Sequence, residues 1–223
     1  MEWALSVCDA AQLSQLAGRE ESLRPAGEDG FPEDIAFTRL YFGREFCERA
    51  LPKVDDVMRA VMFCNRYNRK FTLVTPYVTE DGLGKLRDIF ASLERYRVGC
   101  EVVANDWGVL NLLRDSFPSL LPVLGRLLNK TWRDPRMDSH IHAIPKEDLG
   151  LFRTCSLAGP FMRDLLEIFG VDRIEMDNLL QGMDPNLLQW GYLVSLYLPY
   201  GVITTGRICV FQSWGLKPED KFR

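Results

Sequence analysis

Polar side chains stand directly after several of the apolar runs in this sequence. Glu45, Asp106 and Glu175 carry carboxylates suited to general acid–base or nucleophilic chemistry. We take these three as candidate catalytic residues, because parallel α/β proteins keep their working groups after the carboxyl ends of strands. Structural alternatives stay open. Asp106, with Asn105 before it, is an equally good helix N-cap, and Glu175 with Asp177 can be a solvated loop pair.

A basic segment, GRLLNKTWRDPR at residues 125–136, indicates a binding site for an anion. Guanidinium groups bind planar carboxylates and phosphates with two parallel hydrogen bonds, so several on one loop can clamp a small anionic substrate. The arginines can equally pair with Asp134 and neighbouring acids on the surface. The substrate-binding candidates, which include polar residues after two other strands, are Tyr77, Asn105, Arg126, Asn129, Arg133 and Arg136.

Single cysteines, rather than cysteine pairs, characterise the chain. They are Cys8, Cys47, Cys64, Cys100, Cys155 and Cys209, and no CxxC pair occurs among them. Cys47 and Cys209 each follow or end an apolar run and have an arginine two residues away, which distinguishes them from the other four. For Cys47 alone, a packed thiol is the simpler interpretation. His140 and His142 can chelate a metal from an extended segment, but a structural role is favoured.

Composition limits the class of protein. The 223 residues are 47% hydrophobic, enough for one domain with a sizeable core. The formal net charge of −4 argues against DNA as a partner and weighs against strong RNA binding. No apolar run is long enough to span a bilayer, and the first residues lack the features of a signal peptide. We therefore expect a cytoplasmic protein.

Alternation of strands with helices predicts parallel βαβ units. The predicted strands are residues 3–8, 35–42, 71–76, 100–104, 120–124, 173–176, 192–198 and 202–210. The predicted helices are residues 9–16, 54–67, 79–93, 109–114 and 160–169, and residues 181–190 hold a short helix with Pro185 near its start. Residues 19–34 and 137–157 are predicted as loop excursions. Eight such units favour a (β/α)8, TIM-like barrel forming one domain over residues 1–223. No glycine pattern for a dinucleotide or a nucleoside triphosphate occurs.

Four motifs, in register, resemble a known family. They are LYFGREFCER at residues 40–49, CEVVANDWGVLNLL at 100–113, GRLLNKTWRDPR at 125–136 and GRICVF at 206–211. Together they resemble the collagenase-like peptidase family U thirty-two, and its UbiV-like branch in particular. The resemblance implies a (β/α)8-like barrel. It also implies oxygen-independent hydroxylation in ubiquinone biosynthesis, or action on RNA in other branches of the family.

An iron–sulfur cluster is the cofactor that the resemblance implies. Several members hold a 4Fe–4S cluster with four cysteines, and Cys47 and Cys209 match two of these positions. The family pattern continues with two more cysteines past the matched segment, so the chain reads as a fragment or as a member lacking half the cluster site. Arg44 stands where the pattern has glutamate, with Glu45 one place further on.

Three functions are therefore expected, in decreasing order of preference. The first is an iron–sulfur protein or subunit that acts in oxygen-independent hydroxylation or related quinone biosynthesis, together with a paralogous protein subunit. The second is a hydrolase of the peptidase type, although no serine or cysteine has a matched histidine and acid. The third is a non-catalytic barrel that binds a small anionic molecule or a partner subunit.

Overall fold

The computed structural model describes residues 1–16, 36–206 and 213–220. Its strands are β1 (Trp3–Val7), β2 (Phe37–Gly43), β3 (Lys70–Val74), β4 (Glu101–Ala104), β5 (Leu121–Leu124), β6 (Arg173–Asp177) and β7 (Leu193–Tyr197). Its α-helices are α1 (Ala10–Leu16), α2 (Val54–Arg66), α3 (Glu80–Arg95), α4 (Trp107–Ser116), α5 (Met137–His140), α6 (Leu149–Arg153) and α7 (Pro160–Ile168). The chain divides into two compact units, which are described in turn.

The first unit comprises residues 1–124 and 169–171 and contains five parallel strands. Each strand pairs with the next one along the chain, from β1 to β5. Parallel neighbours require a crossover connection, and α2, α3 and α4 supply it between β2 and β5. This is the βαβ succession that the sequence predicts.

Both faces of strands β2, β3 and β4 are largely buried, as is usual for parallel sheets. One face carries an apolar cluster with one residue from each of four neighbouring strands: Tyr41, Val74, Val103 and Val123. Closer to the amino ends of the strands, the buried Arg39 donates to Glu101 at 2.6 Å and to Thr72 at 2.9 Å. A charged layer therefore lies beside the apolar layer on one face of the sheet.

Helix starts in this unit follow from local chemistry. Asp106 caps α4, because its Oδ1 accepts a hydrogen bond from the backbone N–H of Gly108 at 2.7 Å. Thr79 caps α3, and Glu48 reinforces it by accepting from the backbone N–H and the hydroxyl of Thr79, at 2.6 and 2.7 Å. These side-chain acceptors satisfy backbone donors that a helix leaves unpaired at its first turn.

The second unit comprises residues 125–168 and 172–223. Within it β6 and β7 pair in parallel, with Glu175 opposite Ser195 and Asp177 opposite Tyr197. The part predicted as an irregular excursion, residues 137–157, contains the two short helices α5 and α6. At 4 and 5 residues they are too short for a periodic pattern to be read from sequence.

A mixed α/β fold with parallel strands is confirmed, whereas the closed eight-stranded barrel stays a prediction. The short helix predicted within residues 181–190, with Pro185 near its start, is the 3-10 helix Leu187–Trp190. The last predicted strand needs correction. Residues 202–206 form no strand, and residues 207–210 of the same predicted strand lie outside the described residues, as do 19–34.

Membrane-spanning structure was not expected from the sequence. Within residues 1–16, 36–206 and 213–220, no helix is both long enough and apolar enough to cross a bilayer.

Candidate functional site

Strand β6 presents an unusual buried polar face in the second unit. Side chains alternate between the two faces of a strand, so Glu175 and Asp177 share one face while Ile174 and Met176 occupy the other. Both carboxylates have 0% exposure to solvent. Their interpretation as solvated loop residues is therefore wrong. The register places polar residues of β7 on the same face, with Tyr197 directly opposite Asp177.

Asp177 is held by three donors. Arg126 Nη1 donates to its Oδ1 at 2.6 Å, and Arg133 Nε donates to its Oδ2 at 2.7 Å. The backbone N–H of Val202 also donates to Oδ1, at 3.1 Å. Charge-assisted bonds of this length are the strong kind. Asp177 therefore fixes the positions of two of the three arginines in the basic segment.

Glu175 has a tyrosine hydroxyl as its neighbour. Tyr197 Oη lies 3.2 and 3.1 Å from the two carboxylate oxygens of Glu175 and donates to that group. The guanidinium of Arg126 stacks over the Tyr197 ring, 3.8 Å from its centroid. A cation over the ring is attracted to its electron-rich face, so Arg126 joins the two carboxylates into one network.

Asn129 completes the arrangement from the loop side. Its Nδ2 donates to the backbone carbonyl of Glu175 at 3.5 Å, and the backbone carbonyl of Asn129 accepts from Arg133 Nη2 at 3.3 Å. Its exposure is 1%, and its Oδ1 has no hydrogen-bond partner. We call the following set the polar cluster: Arg126, Asn129, Arg133, Glu175, Asp177 and Tyr197.

The polar cluster is costly to bury. Removing two ions from water costs several kcal/mol each, and apolar residues of similar volume often replace buried ion pairs without loss of stability. Groups of buried ionisable residues occur both at functional sites and in structural ion-pair networks, so the polar cluster is a candidate site. Glu175, with a hydroxyl in contact, has the chemistry of a proton donor or acceptor, and the arginines have the chemistry of an anion site.

Arg136 lies outside the polar cluster. Its exposed guanidinium pairs with Asp134, with Nη2 2.6 Å from Oδ2. Hydrogen bonds from Arg136 lower the pKa of Asp134 to about 2. The three arginines of the basic segment are thus divided between two acids: Arg126 and Arg133 bind Asp177, and Arg136 makes the surface pair that was the alternative interpretation.

The candidates of the first unit have clear structural contacts. Asn105 is 2% exposed, and its Nδ2 donates to the backbone carbonyl of Thr75 at 3.0 Å. Asp106 caps α4 through one carboxylate oxygen, and its other oxygen accepts from the backbone N–H of Val78 at 3.3 Å. These bonds tie the loop after β3 to the start of α4. Glu45 is buried after β2, and Tyr77 is half-buried after β3.

Cys47 lies half-buried in the loop after β2, at the residue before the short helix Glu48–Ala50. Glu48, its neighbour, fastens this loop to the start of α3 through Thr79. Cys209, the predicted companion ligand, lies outside the described residues. The exposed His140 and His142 lie in α5 and the turn that follows it.

The described part of the chain gives little support for a bound metal ion. There, no group of three or more histidine, cysteine, aspartate or glutamate side chains is arranged to hold an ion. Burial raises the pKa of Cys64 and of Cys100 to about 12, and it also raises the pKa of Cys155. Thiols that resist ionisation are poor ligands, so the described cysteines do not supply a four-thiolate site. The iron–sulfur cluster stays a prediction.

Tyr197 is a cluster residue that the sequence did not single out, and Asp177 was noted without being chosen. The sequence feature that could have found them is the alternation of side chains between the two faces of β6 and β7. Residues two apart share a face, so Asp177 belongs with Glu175 once a strand is assigned there. Pairing Tyr197 with this face needs the register between the strands, which no local pattern contains.

Comparison with family models, curated proteins and solved structures finds no match to this chain. The class that fold and site define is therefore a parallel α/β protein with a buried arginine–carboxylate cluster.

Proposed function

We propose that this chain is a subunit of an oxygen-independent hydroxylase and that its polar cluster binds a small anionic substrate. The reaction class comes from the resemblance of four sequence motifs to peptidase family U thirty-two. The binding role comes from one observation. Glu175 and Asp177 are fully buried on one strand face, in contact with a tyrosine and two arginines.

The guanidiniums support an anionic ligand. Asp177 holds Arg126 and Arg133 in place, and guanidinium groups bind carboxylates and phosphates through charge-assisted hydrogen bonds. The face shared by β6 and β7 also carries the half-buried Arg173, whose Nη1 donates to Ser195 Oγ at 3.3 Å. A small monoanion therefore suits this set of donors.

The iron–sulfur cluster belongs to this proposal through the resemblance alone. Its thiolate positions would be Cys47 and Cys209, and further ligands would have to come from outside the described residues. When bound, such a cluster supplies electron transfer. The described side chains would bind the substrate, orient it and hold a proton at the Glu175 carboxyl.

A pair of arginine variants tests the binding role. Benzoate serves as a monoanionic probe, observed by saturation-transfer NMR, with thermal unfolding as the check on folding. We expect Arg133→Gln to weaken benzoate binding about tenfold, since one charge-assisted hydrogen bond contributes about 1.5 kcal/mol or more. Arg136→Gln, in the same loop but paired outside the cluster, is the control and should bind like the wild type. Equal binding by both variants contradicts the proposal.

The hydroxylase class has its own test. The natural protein, purified without oxygen, should be brown, absorb near ~400 nm as iron–sulfur proteins do, and contain stoichiometric iron. Colourless, iron-free protein argues against this class while leaving the binding role intact. Gelatin turnover that is abolished by Glu175→Gln would instead favour the peptidase alternative.

A further inference from the structure

Unpartnered polar atoms are concentrated in one segment of the second unit. Among the described residues, the buried side-chain atoms without a hydrogen-bond partner are Arg39 Nε, Asn129 Oδ1 and Thr131 Oγ1. Arg39 Nε lies 3.3 Å from the carboxylate of Glu2 and so has an ionic partner. The other two belong to the segment that follows β5, two residues apart.

Asn129 Oδ1 is the more informative of the two. The amide orientation is set by its other end, because Nδ2 faces the carbonyl of Glu175 and only a donor fits there. Oδ1 therefore turns away from β6. Leaving a buried acceptor unpaired costs about 1–3 kcal/mol, so native proteins rarely retain one without a function for it.

The surroundings of Asn129 indicate which kind of hydrogen-bond partner its Oδ1 can take. Its neighbours Arg126 and Arg133 have donors directed to Asp177, and Arg133 also donates to the backbone carbonyls of Arg126 and Asn129. An amide oxygen accepts hydrogen bonds and cannot donate them. A ligand that completes the site must therefore bring an O–H or N–H donor to Asn129 Oδ1.

We propose that the substrate of the polar cluster is a hydroxylated anion and that Asn129 selects it by accepting a hydrogen bond from its hydroxyl. The inference rests on the proposed binding role of the cluster and specifies its ligand. A site built to hydrogen-bond a hydroxyl rejects analogues that lack it, because its own polar group is then left unpaired. Asn129 would be a specificity residue, and the arginines would supply the affinity for the negative charge.

Two matched probe pairs test this proposal: 3-hydroxybenzoate with 3-methoxybenzoate, and glycolate with methoxyacetate. Both members of a pair carry the carboxylate, and the methyl ether lacks only the hydroxyl donor. We expect the wild type to bind the hydroxylated member of at least one pair about tenfold or more tightly than its ether. Asn129→Leu should remove this preference, so that both members of a pair bind with similar affinity.

Stability provides a second readout. Asn129→Leu removes the unpaired acceptor but also the Nδ2 donor to the Glu175 carbonyl, so the two effects oppose each other and the free energy of unfolding should change by about 1 kcal/mol or less. Asn129→Gln keeps both the amide donor and the amide acceptor and should retain the preference for the hydroxyl. This variant keeps the test valid if the leucine variant fails to fold.

The outcomes separate the two proposals. Binding of hydroxylated and ether probes with equal affinity overturns the role of Asn129 and leaves the anion site standing. Absence of binding by all four probes to a folded wild type overturns the anion site itself. A preference for the hydroxyl that persists in folded Asn129→Leu also overturns the inference, because the group that selects the hydroxyl is then not Asn129.

Discussion

Asp177 organises the second unit at the level of single residues. Its carboxylate has no exposure, and the side chains of Arg126 and Arg133 are 6% and 11% exposed. The basic segment therefore does not present two free guanidiniums to solvent, as an anion clamp drawn from sequence alone would. Instead, the arginines are held in place by an acid of the same unit before any ligand arrives. Such positioning lowers the entropic cost of ordering these side chains when a ligand binds.

Replacing Asp177 by asparagine tests this role. The change keeps the shape of the side chain but leaves two buried cations without their anion, and breaking a buried pair in this way costs about 3–5 kcal/mol. Urea denaturation should show a loss of this size. Asp115→Asn is the matched control, since Asp115 pairs with Arg114 on the surface and should change stability by about 0.5 kcal/mol or less. Similar losses in both variants would mean that the buried pairs contribute little.

At the level of elements, the end of β2 depends on a glycine. Gly43 has φ = +129°, and a Cβ there would lie 2.2 Å from the carbonyl oxygen of Val74 on the paired strand β3. Only glycine avoids both the strained backbone and the collision. The loop that begins here carries Glu45 and Cys47, so the exit of this loop from the sheet is determined by a residue with no side chain.

Two Gly→Ala variants should have opposite effects on stability. Gly43→Ala should lower the free energy of unfolding by about 2 kcal/mol or more, through strain and the contact with Val74. Gly84→Ala, inside α3 where an added Cβ meets nothing within 4 Å, should raise it by about 0.5–1 kcal/mol through helix propensity. Chemical denaturation of both variants gives the comparison. Effects of the same sign would show that the backbone around Gly43 adapts freely.

At the same scale, capping was the most accurate part of the sequence-based prediction. Thr79 was expected to start a helix and does so, and Asp106 caps α4, as one of its two interpretations predicted. Caps are local, because the acceptor and its donor lie within three residues of each other. The contribution of Glu48 to the same helix start was not predicted, since it comes from 31 residues earlier in the chain.

For the molecule as a whole, buried thiols couple stability to alkaline pH. Burial raises the pKa of Cys64 and of Cys100 from 9.0 to about 12, so the folded chain keeps both protons in a range where the unfolded chain loses them. The unfolded state then binds fewer protons than the folded state, and stability falls as pH rises. The stabilising effect of these two groups is complete below about pH 9 and is lost progressively toward pH 12.

Urea denaturation with reductant at pH 8, 9 and 10 measures this loss. We expect each thiol to contribute up to about 1 kcal/mol per pH unit above pH 9. Cys100→Ala should be less stable at every pH, because a buried side chain is shortened, but its stability should fall less steeply with pH. Lysine and tyrosine titrations are common to both proteins, so the difference in slope isolates the thiol. Parallel slopes would show that Cys100 ionises normally in the folded chain.

The sequence by itself determined the alternation of strands and helices, the helix caps, and a basic segment whose Arg126, Asn129 and Arg133 all enter one site. These features are encoded locally, by the period of apolar residues and by capping chemistry. Only the tertiary structure decided that Glu175 and Asp177 are buried, that Tyr197 joins them, and that Arg136 turns away to Asp134. The physical reason is register. The partner of a side chain on a parallel sheet is set by strands distant in the sequence, and no local pattern records which residues will lie opposite one another.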